Sequence, residues 1–243
     1  MVIIGFINGI SAENNMKRLI FSDFHIGNPL FKDVYIKSIK QIFKDNIYDE
    51  IIINGDIIDI WENSKNKILY EYEPFIKFIN ERAKYIPIYI ICGNHDPDFD
   101  SMNEIFNSCI VKQYSYSDSK SIFIHGHEFD YLILNYSYII RFLNYFCIGF
   151  EKIGIDIKSF FREYLYSVSM KRSKAYYSDL VLDIEKDAVL KYCENYQNII
   201  LGHTHFPKIT KINSLCQYIN SGDIIHNNSY VVQNDNYFEL KFI

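Results

Sequence analysis

Short runs of apolar and β-branched residues recur along this chain, and each stops at a polar cluster. Leu19–Ser22 runs into Asp23-Phe24-His25, and Ile51-Ile52-Ile53 into Asn54-Gly55-Asp56. Pro87–Cys92 ends in Gly93-Asn94-His95-Asp96, Ile122–Ile124 in His125-Gly126-His127, and Asn198–Leu201 in Gly202-His203-Thr204-His205. Unbroken apolar runs this short predict strands buried on both faces. Apolar positions at Val34, Ile36, Ile39, Ile42, Phe43 and Ile47 keep a helical period, so a helix is expected over 33–47. A second is expected over 71–84. The tail alternates at Cys216–Asn220, Tyr230–Gln233 and Tyr237–Phe242, as strands closing a sheet would. Strands separated by helices and ending in polar residues describe a layered α/β sheet. Open α/β sheets place their ligands just beyond the C-terminal ends of the strands.

Between the fourth and fifth runs lie roughly seventy aromatic-rich residues, too many for a structureless loop in a compact domain. They predict a helical cap over 129–195, inserted into a core of 16–128 and 196–243. From Phe129 to Ala175 there are seven basic residues (Arg141, Lys152, Lys158, Arg162, Lys171, Arg172, Lys174) and four acidic ones. An apolar, basic cap beside acidic strand ends suits a substrate both greasy and anionic. A self-packing helical hairpin with a solvated basic face is the alternative.

The net charge of −5 argues against a general nucleic-acid binder held by phosphate contacts. Five cysteines, none in a C-x-x-C pair, fit free thiols in a reducing compartment better than a disulfide framework or zinc knuckle. The apolar first ten residues lack a preceding Lys or Arg and are too short to span a bilayer. Met16 opens directly into a strand, so residues 1–15 are expected to lie outside the fold. The expected location is the cytoplasm, with a peripheral contact at the inner membrane surface.

Six of the seven histidines sit at strand ends, beside Asp23, Asp56, Asn94 and Asp96. A lone loop histidine is ordinarily structural; this clustering is not. Imidazole and carboxylate together suit Mn, Fe or Zn better than Mg or Ca. One carboxylate shared between two such ligand sets makes a two-metal site with ions ~3.5–4 Å apart.

Taken in order, Asp23-Phe24-His25, Gly55-Asp56-Ile57-Ile58-Asp59, Gly93-Asn94-His95-Asp96, His125-Gly126-His127 and Gly202-His203-Thr204-His205 resemble the five signature blocks of the calcineurin-like metallophosphoesterase superfamily. That resemblance implies an α/β fold built as a layered β-sandwich flanked by helices. It also implies two divalent metal ions, most simply Mn. Asp23, His25, Asp56 and His205 would hold one ion, and Asp56, Asn94, His125 and His203 the other. His95 would contact the scissile phosphate and assist the leaving group, supported by Asp96 and Asp59. The stretches Gly55–Trp61, His125–Asp130, Gly202–Pro207 and Tyr218–Asp223 further resemble the UDP-2,3-diacylglucosamine pyrophosphatase family of lipid A synthesis, which releases UMP. Members of that family carry Arg at the position of His95. The implied substrate is therefore a nucleotide-linked lipid or another phosphoester. A phosphodiesterase acting on small nucleotides is the second reading, and a non-catalytic interaction module of the same fold the third.

Overall fold

The computed structural model describes residues 16–45, 48–135 and 182–243. In chain order the elements are β1 (Lys17–Phe21), α1 (Asp33–Asp45), β2 (Glu50–Asn54), α2 (Lys65–Glu71), α3 (Glu73–Ala83), β3 (Ile88–Ile91), α4 (Phe99–Ile105), β4 (Ile110–Lys112), β5 (Ser115–Ser117) and β6 (Ser121–Ile124). Then come β7 (Asn198–Leu201), β8 (Lys208–Lys211), β9 (Gln217–Asn220), β10 (Ser229–Asn234) and β11 (Tyr237–Phe242). They form two sheets, β11-β10-β1-β2-β3-β4 and β5-β6-β7-β9-β8. β1 to β4 are mutually parallel, as are β6, β7 and β9, while the remaining strands pair antiparallel.

The period of two in each strand explains the unbroken apolar runs. Ile20, Ile52 and Ile91 of the first sheet point inward to Phe123, Ile200 and Ile219 of the second, forming the layer between sheets. Their neighbours Leu19, Phe21, Ile51 and Ile53 point outward, against Ile39 and Phe43 of α1 and Phe75 and Ile79 of α3. On the other side, Ile122, Ile199 and Tyr218 pack on Ile184 and Ala188 of a helix spanning residues 182–192. Both faces of both sheets are covered, which is what a continuous apolar strand requires. The α/β layered β-sandwich flanked by helices is the observed architecture.

Three local expectations change. The helix foreseen over 71–84 is the second of a pair. Pro74 sits in the first turn of α3, where its missing N–H does no harm, but its ring cannot continue α2. α2 itself starts at Ser64, whose hydroxyl accepts from the Lys67 N–H. The tail does not close one sheet. β9 pairs between β7 and β8, whereas β10 and β11 extend the first sheet, so Ile219 and Val231 face each other in the inter-sheet core. β4, β5 and β8 are short outer strands whose exposed residues leave no apolar run. Cys92, Cys109, Cys193 and Cys216 are free thiols. The extension over 1–15, Cys147 and most of the cap over 129–195 lie outside the described residues. The two ends of that cap span, 131–135 and 182–192, are helical. Among the described residues no helix is long and apolar enough to cross a membrane.

At the end of the sandwich from which β1 and β2 start, Arg18 is buried against Glu50, with Asp118 at 2.6 Å and Gln233 at 3.3 Å. Removing one partner of a buried ion pair strands the other charge. Arg18→Met is expected to cost ~3–5 kcal/mol in urea unfolding, and Arg18→Met combined with Glu50→Met to recover most of it.

Candidate metal centre

Every parallel strand of both sheets ends on the same side, and the loops that follow are tied together. Asp23 N–H donates to Gly55 O at 3.0 Å, His25 N–H to Asp56 O at 2.9 Å, and Gly202 N–H to His125 O at 3.0 Å. Asn54 joins the sheets, its amide donating to Ile124 O at 2.8 Å and Ile200 O at 3.3 Å. The loops meet with no room for side chains at the glycines. A Cβ on Gly93 would overlap the Asp56 carboxylate, and one on Gly55 would overlap the His125 ring. Asp23, His25, Asp56, His203 and His205 all take φ between 51° and 62°, a region that costs a non-glycine residue ~1–3 kcal/mol. Such strain persists only where the surroundings impose it.

The imidazoles have fixed orientations. His25 Nδ1 lies 3.1 Å from Asp59 Oδ2, His205 Nδ1 3.1 Å from Asp223 Oδ2, and His125 Nδ1 2.9 Å from Asn54 O. Each partner is an acceptor, so each Nδ1 carries the proton and each Nε2 presents a lone pair. Those lone pairs converge on carboxylates. His125 Nε2 is 3.2 Å from Asp56 Oδ2, and His205 Nε2 is 3.2 Å from Asp23 Oδ1 and 3.4 Å from His25 Nε2. Despite these approaches, neither His125 Nε2 nor Asp23 Oδ1 has a hydrogen-bond partner. His203 is turned the other way. Its Nε2 meets Asp130 Oδ2 at 2.9 Å, which leaves Nδ1 for the cluster with Asp56 and His125.

Asp23, His25 and His205 form one such ligand-bearing group, and Asp56, His125 and His203 another. Asn94 is buried between Gly93 and His95, whose N–H donates to Asp56 Oδ1 at 2.8 Å. Buried carboxylates facing unprotonated nitrogens need a cation between them, so the donor set fits divalent metals that accept nitrogen and oxygen. The electrostatics agree. Burial would raise the Asp23 and Asp56 carboxyls, yet the surrounding imidazoles hold both well below the usual carboxylate range. Burial alone would lower His125 and His205, but Asp56 and Asp23 raise them to about 10 and about 9. Both sets of shifts report buried negative charge that a cation in front of it would balance.

His95 is partly exposed, its Nδ1 2.9 Å from Asp59 Oδ1 and its ring stacked on Trp61 with centroids 4.1 Å apart. Asp59 therefore holds both His25 and His95. Asp96 accepts from the Ile58 and Gly93 N–H groups, each at 2.8 Å, and burial with the nearby Asp56 charge raises it to about 7. It ties two of the loops together. His127 lies beside His125 with ring centroids 5.4 Å apart but belongs to no ligand-bearing group among the described residues.

The family model for calcineurin-like phosphoesterases matches residues 16–207. The chain belongs to the calcineurin-like phosphoesterase family. It is a metal-dependent hydrolase of that family. The phosphoesterase is 25% identical over 246 residues to a UDP-2,3-diacylglucosamine hydrolase from Psychromonas ingrahamii, covering 90% of this chain and 95% of that one. Its fold is similar to that of Yfce, a phosphoesterase from E. coli, with a TM-score of 0.50, 15% identity and 93% of each chain covered.

Four residues that position the site escape a motif reading. Asn54 reads as a strand terminator, yet its carbonyl sets the His125 tautomer. Asp130 closes the His125–Asp130 stretch without metal-ligand spacing, yet it holds His203. Asp223 lies in a quoted stretch but carries no metal-ligand spacing, and it holds His205. Trp61 closes the Gly55–Trp61 stretch with no ligand chemistry of its own, and it braces His95. All four act through another residue, so only the proximity of Asp223 and Asp130 to a predicted ligand could have flagged them.

Manganese at 100 times its dissociation constant is expected to stabilise this phosphoesterase by ~2.7 kcal/mol. Asp56→Ala should remove that response, and thermal unfolding of both proteins across a manganese titration measures it.

Proposed function

We propose that this phosphoesterase hydrolyses the diphosphate of a nucleotide-linked, acylated sugar of the UDP-2,3-diacylglucosamine type, giving UMP and a lipid phosphate, with two manganese ions. Asp23, His25, Asp56 and His205 are assigned to one ion and Asp56, Asn94, His125 and His203 to the other, Asp56 being shared. The observation that carries the reading is the convergence of His125 Nε2 on Asp56 and of His205 Nε2 on Asp23, each at 3.2 Å, with neither His125 Nε2 nor Asp23 Oδ1 satisfied by a hydrogen bond. When bound, such ions supply Lewis acidity toward phosphoryl oxygens and a water acidic enough to ionise near neutral pH.

The chain's own residues do the rest. Asp59, the Asn54 carbonyl, Asp223 and Asp130 hold the imidazoles in the tautomers that leave a ligand nitrogen free. His95, partly exposed and held by Asp59, is the group assigned to the phosphoryl oxygens and the departing oxygen. Orienting the substrate for in-line displacement is the main contribution the protein makes to phosphoryl transfer.

The lipid-bearing substrate is supported by the curated relative and by the aromatic, basic composition of the span from 129 to 195, which we assign as the cap over the core of 16–128 and 196–243. Such a substrate would bring the enzyme to the inner membrane surface. His95 itself favours a second reading, a phosphodiesterase for small nucleotides, because the lipid A enzymes it otherwise resembles carry Arg there.

A turnover panel in manganese with UDP-diacylglucosamine, a cyclic nucleotide and a chromogenic phosphodiester separates the readings. UMP release from the acylated sugar alone is expected; preference for the cyclic nucleotide would overturn the lipid substrate and leave the metal assignment intact. His95→Ala is expected to lower kcat by ~10²–10⁴-fold while retaining the manganese-induced rise in melting temperature.

A further inference from the structure

Away from the metal centre, two cysteines distant in sequence meet side by side. Cys193 follows directly on the helix over 182–192, its N–H still donating to Val189 O at 2.9 Å. Cys216 lies just before β9, at the foot of the hairpin that joins it to β8. One residue touches both. Asn213 Oδ1 accepts the Leu215 N–H at 2.7 Å and the Cys216 N–H at 2.8 Å, which fixes the hairpin turn. The Asn213 side-chain amide donates to Cys193 Sγ at 3.5 Å. Both cysteines belong to the apolar cluster of Ile184, Ala188 and Tyr218, and their thiols are hydrogen-bonded neighbours.

The pair is unequal. Cys216 is buried, whereas Cys193 is partly exposed, so an incoming molecule meets the Cys193 sulfur first. Burial and the neighbouring Cys193 push the Cys216 thiol up to about 12. A thiol that ionises so reluctantly is a poor nucleophile toward anything in solution. One that already touches its target works at an effective concentration no free thiol reaches. The arrangement therefore suits a first sulfur open to solvent and a second that acts only on its neighbour.

We propose that Cys193 and Cys216 form a redox-modification site that reacts with a low-molecular-weight disulfide and closes into a disulfide of its own. The Cys193 thiolate attacks one sulfur of the small disulfide, which joins it as a mixed disulfide while the other half leaves as a thiolate. Cys216 then gives up its proton and attacks the Cys193 sulfur, expelling the second half. Two protein thiols are oxidised, one small disulfide is reduced to two thiols, and the two protons pass to the departing sulfurs. The new bond latches the end of the 182–192 helix to the β8–β9 hairpin. Glu185 of that helix is already gripped by Lys208 of β8. The latch thus holds the helix at a second point against the sheet whose strand β7 leads into His203 and His205. It is independent of which phosphoester the metal centre cleaves.

The test incubates the full, reduced chain with oxidised glutathione, alkylates the remaining thiols and maps the peptides by mass spectrometry. A cross-link between the peptides carrying Cys193 and Cys216 is expected. It should raise the melting temperature by roughly 5–10 °C, because a closed loop restricts the unfolded chain, and dithiothreitol should reverse the rise. Cys216→Ala is expected to stop at a glutathione adduct on Cys193, and Cys193→Ser to leave Cys216 a free thiol. A lasting glutathione adduct on Cys193 of the wild type, or no reaction at either residue, overturns the site, since the two would then be small apolar fillers. A cross-link of either residue to a different cysteine overturns it as well. So does a closed pair that melts no higher than the reduced chain, because the bond would then strain the packing it is meant to hold. The wild-type map decides the site by itself, whether or not the Cys216→Ala variant folds.

Discussion

Two fully buried carboxylates, Asp23 and Asp56, face ring nitrogens that have already given their protons away in the opposite direction. Removing an ion of that size from water carries a penalty of several kcal/mol even after relaxation. Neither carboxylate can recover it from an N–H on the rings in front of it unless an extra proton arrives. The contacts of 3.2 Å between Asp56 and His125 and between Asp23 and His205 are tolerable only with positive charge between the partners. The interior is thus built around cations, and the rest of the fold can be read as what keeps these groups from relaxing apart.

That holding is done by the backbone more than by packing. The five loops follow parallel strands of two sheets, so the sandwich delivers them to one end already close together. Asn54 then bridges the sheets, and Gly93 and Gly55 let chain segments approach to within side-chain range of Asp56 and His125. Left-handed φ values at five candidate ligands mean that the turns are wound tighter than L-residues prefer. Strain of that kind turns carboxylates and imidazoles inward where a relaxed loop would point them at solvent. It also explains why Asp, Asn and His recur in these turns, since those residues tolerate the left-handed region better than branched ones.

The strands and the ligand-bearing loops were readable from the chain because each follows from a local rule. Ile51-Ile52-Ile53 has to be covered on both faces, and Gly55-Asp56 has to follow it outside the sheet. What was not readable is whatever depends on a distant partner. Ser115–Ser117 is a strand only because Ser121–Ile124 lies beside it. Gln217–Asn220 and Ser229–Asn234 look alike as alternating segments, yet they join different sheets because each finds a different parallel or antiparallel neighbour. Asp223 and Asp130 are ordinary acidic residues until the fold sets His205 and His203 against them. A motif names the atoms that touch a metal. It does not name the atoms that aim them.

Asp130 carries this furthest, because it belongs to two structures at once. Its Oδ2 meets His203 Nε2 at 2.9 Å, while its Oδ1 accepts the N–H groups of Leu132 at 2.8 Å and Ile133 at 3.2 Å. The second pair caps the helical residues 131–135, which open the span assigned to the cap. The first aims a candidate metal ligand. A carboxylate is small and its two oxygens are rigidly linked, so the start of that helix cannot shift without disturbing His203. Phe129, next to Asp130, packs edge-on against Tyr192 at the far end of the same span, with Lys191 over its ring. Both ends of the 129–195 span are therefore fastened beside the candidate metal centre, one of them through the partner of a candidate ligand. A shift of that first helical turn therefore reaches the orientation of His203.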